Sequence, residues 1–399
     1  MSSSINIKED PDPHPDQLCI YRVPKSIRKG NQEAYTPQIV SIGPLHYGRE
    51  DLKGMEKQKQ NYVAKFFEER TDKKREEVLA FIINQEQKIR KCYSEAWERE
   101  SEVYVGMILR DAIFVIELFM RKSGNHKSDF FINTPAEMYA LQLDLLLLEN
   151  QLPYFLLEDL YKFLVPKGES FRELCLNFFR DQMFFPDNPK TELKNEFKHF
   201  TGMQRAALVG DFKRKMSTFC HLPCATKLQE SGVKFRCASK ERCPLEIKFK
   251  QGELRIPELS VFHETDTILR NIMALEQCCY HGSLVVCSYV QLLDFLIEDK
   301  RDAQLLVDEG IIRNWMGDSK ALANLFNKLC VEIPLAENHY PELYKDLNDH
   351  CGNSWNRNKA RLKNFYFGDI WKGTATVAAA IILLLTFIQT MYNVKEWIY

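Results

Sequence analysis

Two carboxylates stand out because their neighbours at helical spacing are apolar. Asp111 has Met107, Ile108, Phe114 and Val115 around it, and Asp144 has Ala140, Leu141, Leu147 and Leu148. A pair of buried acids could serve general acid–base chemistry of the kind hydrolases use. It could equally serve structure, because an ionised carboxylate taken out of water is costly unless it meets an arginine, a set of backbone N–H groups or a proton. Glu149, Asn150 and Gln151 follow shortly before Pro153, which places a polar cluster of Asp111, Asp144, Glu149 and Asn150 inside the fold near a helix end. No nucleophile, oxyanion feature or metal set accompanies these acids. The pattern therefore favours carboxylates that tie loop backbone, or Arg22 and Arg28, into the core, and a hydrolase or transferase of unrecognised type is the alternative.

Other chemistries are set aside by spacing. Gly43-Pro-Leu-His-Tyr-Gly48 has the glycine interval of a phosphate loop, but Arg49-Glu50 stands where Lys and Ser/Thr are required. Cys220, Cys224, Cys237 and Cys243, with His221, lack the close Cys-x-x-Cys knuckles of a zinc site. The cysteines read as reduced thiols, and neither metal nor cofactor is expected. Gly-x-Gly-x-x-Gly, His-Glu-x-x-His, Gly-x-Ser-x-Gly and the kinase catalytic loop are all absent from the sequence. With 54 basic against 55 acidic side chains, the net charge of -1 argues against nucleic acid as a partner.

The elements that must position these residues are mostly helical. An apolar share of 45% supports a large core, and 17 glycines and 16 prolines in 399 residues are too few for a turn-dense β-sandwich. Apolar periodicity predicts amphipathic helices over Gly54–Arg70 and Lys74–Tyr93, and central helices over Val103–Met120 and Ala136–Leu148. Further helices are expected from Asp266, over Leu284–Glu298, Ala303–Glu309 and Ser319–Val331, and over Pro341–Phe367. Alternation in 232–262, with Gln251-Gly252 at a bend, predicts a small antiparallel β-sheet. The stretch 185–223 is weakly patterned and reads as a solvated surface loop or partly helical insertion, and 1–17 as a disordered acidic arm. The remainder, 18–370, is read as one mainly helical soluble domain.

The run from Gly373 to Tyr392 carries no charge, and the next charged residues on either side are Lys372 and Lys395. At roughly 1.5 Å per residue the 22 residues between these two lysines reach about 33 Å as a helix, close to the ~30 Å hydrocarbon core of a bilayer. Arg357, Lys359, Arg361, Lys363 and Lys372 precede it, whereas Lys395 and Glu396 cancel after it. The positive-inside rule then places the N-terminal domain in the cytosol. With only 393–399 beyond, the expectation is a tail-anchored, single-pass protein with the lipid bilayer as one partner.

Taken together, Cys19-Ile-Tyr-Arg-Val-Pro24, Tyr35-Thr-Pro-Gln-Ile-Val-Ser-Ile-Gly-Pro-Leu-His-Tyr-Gly48, Asp144-Leu-Leu-Leu-Leu-Glu-Asn-Gln-Leu-Pro153, Ala225-Thr-Lys-Leu-Gln-Glu-Ser-Gly-Val-Lys-Phe235 and Leu275-Glu-Gln-Cys278 resemble the plant family called domain of unknown function 247. The resemblance runs from Cys19 to the terminal apolar segment and omits the weakly patterned middle. It implies no reaction and no cofactor. Some members are associated with pollen self-incompatibility in grasses, so it implies recognition or signalling at a membrane through a protein partner.

Overall fold

The apolar runs fold as helices. A computed structural model describes residues 17–124, 130–182, 196–212, 217, 221–238, 243–280, 282–331, 338–354, 358 and 370–398. In chain order the first helices are α1 (Lys25–Arg28), α2 (Lys53–Glu69), α3 (Arg75–Arg90), α4 (Ser101–Ser123), α5 (Phe130–Asn133), α6 (Pro135–Asp144), α7 (Tyr154–Leu164), α8 (Phe171–Phe178) and α9 (Phe200–Val209). They are followed by α10 (Ala225–Glu230), α11 (Thr265–Cys279), α12 (Val285–Leu296), α13 (Lys300–Asp308), α14 (Ser319–Leu329), α15 (Pro341–Gly352) and α16 (Ile370–Ile398).

The centre of the first half is α4, whose side chains are buried on nearly every side from Tyr104 to Phe119. That is why its sequence shows no polar face. Phe119 sits in an aromatic nest, its ring centroid 4.1 Å from Phe178, 5.4 Å from Phe200 and 5.6 Å from Phe179. Around it one apolar core gathers residues of α2 to α9 together with Cys19, Ile20, Val40 and Ile42. A second core runs from Leu208 and Val209 through α10 to α15. A smaller group joins Val23, Ala34 and Tyr35 to Leu148 and to Ala274 and Leu275 of α11. Residues 19–43 thus form a strap with apolar contacts in the first core and in this joining group.

The strands are β1 (Lys234–Cys237), β2 (Lys248–Lys250), β3 (Glu253–Ile256), β4 (Leu259–Val261) and β5 (Ile312–Asn314). Gln251 and Gly252 have φ of 53° and 78°, the positive values that a two-residue hairpin turn requires, and β2 and β3 pair antiparallel across it. The sheet as a whole is mixed rather than antiparallel, because β1 pairs parallel with β3. Alternation specifies which face of a strand is buried; it carries no information on the direction of its neighbour. A separate parallel pair, β4 with β5, was not expected, since three residues are too few to show a period and the intervening crossover is α11 to α13.

Three helical expectations also need correction. The helix expected to reach Leu148 stops at Asp144, where Leu145 to Leu148 enter turns. The stretch 185–223 contains α9, which is almost wholly buried rather than a solvated connector. Its period is masked because polar groups point inward: Thr201 Oγ1 donates to the Leu146 carbonyl at 2.9 Å, and Arg205 pairs with buried Glu276. In the same stretch 185–195, 213–216 and 218–220 lie outside the described residues, as do 1–16 of the N-terminal arm. The helix expected over Pro341–Phe367 is described as α15 to Gly352. Beyond it 355–357 and 359–369, which include Arg357, Lys359, Arg361 and Lys363, lie outside the described residues. Lys372 falls within α16.

Replacing Phe119 by alanine removes the centre of the aromatic nest and should lower unfolding stability by about 3–5 kcal/mol, read as a shift of the urea midpoint. A loss under about 1 kcal/mol would show that the nest does not hold α4 to α8 and α9.

Candidate functional site

The strap crosses the interior without a strand beside it, so its peptide groups must find partners elsewhere. They find side chains. Asp144, at the last turn of α6, accepts the N–H groups of Gln38 (2.9 Å), Ile39 (2.6 Å) and Val40 (2.8 Å). Asn150 acts as a strand-like partner: its Oδ1 accepts Ile42 N–H at 2.6 Å while its Nδ2 donates to the Val40 carbonyl at 2.9 Å. Asp111, midway along α4, accepts Gly43 N–H at 2.9 Å and takes the Lys59 ammonium at 2.7 Å. Lys59 Nζ also donates to the Ser41 carbonyl.

The tripeptide Glu149-Asn150-Gln151 serves three different parts of the chain. Glu149 accepts Val23 N–H at 2.8 Å and the Arg28 guanidinium at 2.6 Å, with Arg22 at 3.4 Å and His46 Nε2 at 3.0 Å. Gln151 donates to the carbonyls of Leu145 and Leu147 just beyond α6 and accepts Phe200 N–H at the start of α9, at 2.9 Å. The first two bonds hold the turn that follows α6, and the last caps a helix start. His199 adds a second cap, its Nδ1 accepting Gly202 N–H at 3.2 Å, and burial pushes its pKa down to about 3, which keeps the ring neutral.

Gly43 explains the glycine interval that resembles a phosphate loop. Its φ is +74°, and a Cβ there would lie 2.6 Å from the Gln151 carbonyl oxygen and 3.0 Å from Tyr93 Oη. Both the conformation and the close approach exclude a side chain.

The four residues singled out from sequence, Asp111, Asp144, Glu149 and Asn150, thus lie along one strap, all under 4% exposed. Asp144 and Asn150 meet directly through Asn150 Nδ2 and the Asp144 carbonyl at 2.9 Å. Burial pushes the Asp144 carboxyl up to about 6 against the pull of its three N–H donors and Arg49. Burial likewise raises Asp111, with Lys59 and Gly43 N–H opposing. For Glu149 burial also raises the carboxyl, but His46, Val23 N–H and Arg28 outweigh it and hold it below its ordinary value. A carboxylate whose oxygens accept several donors in a closed interior has no reach to a substrate proton. What this arrangement does chemically is hold backbone.

Several members of the same network have no counterpart in the sequence expectations. Lys59 is fully buried on the Met55–Tyr62–Phe66 stripe of α2, and the signal was a charge at a core position. Asn271 of α11 accepts Leu148 N–H at 2.8 Å and donates to the Ala34 carbonyl at 2.7 Å, joining the strap, the 145–151 turn and the second half. Glu276 accepts Arg205 at 2.8 Å and the N–H groups of Val286 and Cys287, capping α12, whose own N-cap residue is Leu284. Among the described residues no group of potential metal ligands unites the cysteines of that set. Cys224 approaches Glu298 and Asp302 instead, but Asp302 already accepts Thr226 N–H and Oγ1 and the N–H groups of Glu298 and Asp299. The described cysteines are free thiols, and Cys220 lies outside the described residues.

Fold and network together define a mainly helical protein built around a side-chain template for its N-terminal strap, with one C-terminal helix apolar enough to cross a membrane. The chain belongs to the plant family of proteins of unknown function, DUF247, whose profile matches residues 20–385. It is similar to the UPF0481 protein At3g47200 of Arabidopsis thaliana, 26% identical over 96% of this chain and 87% of that one. A second UPF0481 protein of the same plant, At3g02645, is 21% identical over 93% of this chain and 89% of its own length. No solved structure matches the chain.

Asp144→Ala leaves three strap N–H groups without an acceptor and should cost about 3–5 kcal/mol in chemical denaturation; an unchanged midpoint would remove Asp144 from the template. Because the folded Glu149 carboxyl lies below its ordinary value of 4.5, its contribution is full above that pH and fades as acidification protonates it. The stability gap between the parent and Glu149→Gln should therefore be large near neutrality and shrink as the pH falls below about 4. A gap that stays constant on acidification would contradict the charge pairing.

Proposed function

We propose that the chain is a single-span membrane protein whose helical domain faces the cytosol and acts in recognition or signalling through contacts with a protein partner. The observation that carries this reading is the stretch Thr374–Val394 of α16: 21 residues of mean hydropathy 1.9, none buried against the rest of the chain. Soluble proteins rarely leave so much contiguous apolar surface open to water. Ile382, Leu383 and Phe387 are each more than 60% exposed, which suits lipid tails as the surrounding medium. The cytosolic side is supported by Arg357, Lys359, Arg361, Lys363 and Lys372 ahead of the span. Action through contacts is supported by the closed state of the acids, whose acceptor sites serve the strap.

Alkaline carbonate extraction of membranes carrying the full chain should leave it in the pellet, whereas a chain lacking 373–392 should be released. In sealed microsomes, protease added outside should digest the domain. Release of the intact chain by carbonate would overturn the span, and protection of the domain would overturn its orientation. Proximity labelling with the span-deleted chain as control should then return a reproducible protein neighbour, and a blank result at correct membrane placement would overturn recognition.

A further inference from the structure

Outside the strap network an open cleft of about 760 Å³ lies between α2, α4 and the connection into α3. That is within the size range of small-molecule sites. Gln60, Ala64 and Phe67 of α2 form one wall, Gly106 and Arg110 of α4 lie opposite, and the stretch Thr71 to Glu76 closes the end.

Two features of this cleft bear on what it could hold. The first is charge. Lys73, Lys74, Arg75 and Arg110 line it against only Asp72 and Glu76. Lys73 is 3.6 Å from Glu77 and Arg110 is 3.1 Å from Glu56, whereas Lys74, whose charge also acts on Glu77, and Arg75 are exposed and hold no ion pair within 4 Å among the described residues. The second is Gly106. A glycine inside a helix is about 1 kcal/mol worse than alanine, and packing does not require this one, because a Cβ on Gly106 would have no atom within 4 Å. The missing side chain leaves the α4 side of the cleft open.

We propose that this cleft is a binding site for a small, multiply charged phosphate ester. Its phosphates are held by Lys74 and Arg75 with Lys73 and Arg110 beside them, and its polyol or acyl portion lies against Ala64, Phe67 and Gly106. Clustered lysine and arginine donors suit phosphate oxygens through charge-assisted hydrogen bonds. A soluble phosphate ester and a phospholipid headgroup share this chemistry.

The test is titration calorimetry on the full chain in dodecyl maltoside, with inositol trisphosphate and dioctanoyl phosphatidylinositol bisphosphate as the two probes. Saturable binding is expected, weakened about tenfold or more in a Lys74→Ala, Arg75→Ala double variant. Gly106→Leu should abolish it while melting no lower than the parent, since leucine enters open space and favours the helix. Comparable affinity for both probes assigns a soluble ester; clear preference for the dioctanoyl probe assigns a lipid headgroup. Absence of saturable binding by either probe, or binding that survives Gly106→Leu or the double variant unchanged, would overturn the site.

Discussion

A peptide group removed from water must be hydrogen-bonded, and residues 38–43 run through the interior with no neighbouring strand to bond them. This constraint organises the first half of the molecule. In a sheet, the ladder would satisfy those groups with other peptide groups; here Asp144, Asn150, Asp111 and Lys59 do so from α6, the turn after it, α4 and α2. The bonds work with two neighbouring residues to fix register, because a shift of the strap by one residue would bring either Pro37, which has no N–H, to Asp144 or a side chain into the place of Gly43. Apolar packing alone could not specify this.

The same device recurs where the two halves meet. Asn271 holds the Ala34 carbonyl and the Leu148 N–H together, and Glu276 caps α12 while pairing with Arg205. Arg205 in turn lies over the Tyr280 ring at 3.8 Å and donates to the Ser283 carbonyl. Such buried charges add little net stability compared with a well-packed apolar replacement, but deleting one partner is costly because the other is left uncompensated. Their effect is therefore asymmetric: they specify one arrangement of strap, turn and helix, and they penalise every variant that breaks a single link.

The sequence made the helical character readable because α2, α3, α13 and α14 bury one stripe and leave the other wet, and periodicity reports that directly. It was silent on α9 because Thr201 and Arg205 face inward and erase the stripe. It misread β1 because alternation is blind to strand direction. The acids at 111, 144 and 149 were visible as charges among apolar neighbours, and the two arginines expected to meet them, Arg22 and Arg28, both reach Glu149. Which backbone N–H groups they would take was not visible, because such groups are present at almost every residue and therefore unmarked in any sequence. Lys59 and Glu276 carried the same visible signal as Asp111, a charge on an apolar helix stripe, and show that this signal identifies bonding hubs more generally than catalytic ones.

The C-terminal helix reverses the roles of backbone and side chain. In the core, side chains satisfy backbone; along α16, backbone satisfies side chains, with Thr386 Oγ1 donating to the Ile382 carbonyl and Thr390 Oγ1 to the Thr386 carbonyl, both at 2.8 Å. A hydroxyl facing water needs no such bond, and in hydrocarbon it has no other partner than the carbonyl a turn earlier. Polar threonines in an otherwise apolar run are thus compatible with lipid as the surrounding medium. A soluble core would instead have covered Leu383 and Phe387 with protein, and in this chain both remain open. The domain closes the polar groups of its acids around the strap, whereas α16 leaves its apolar side chains open.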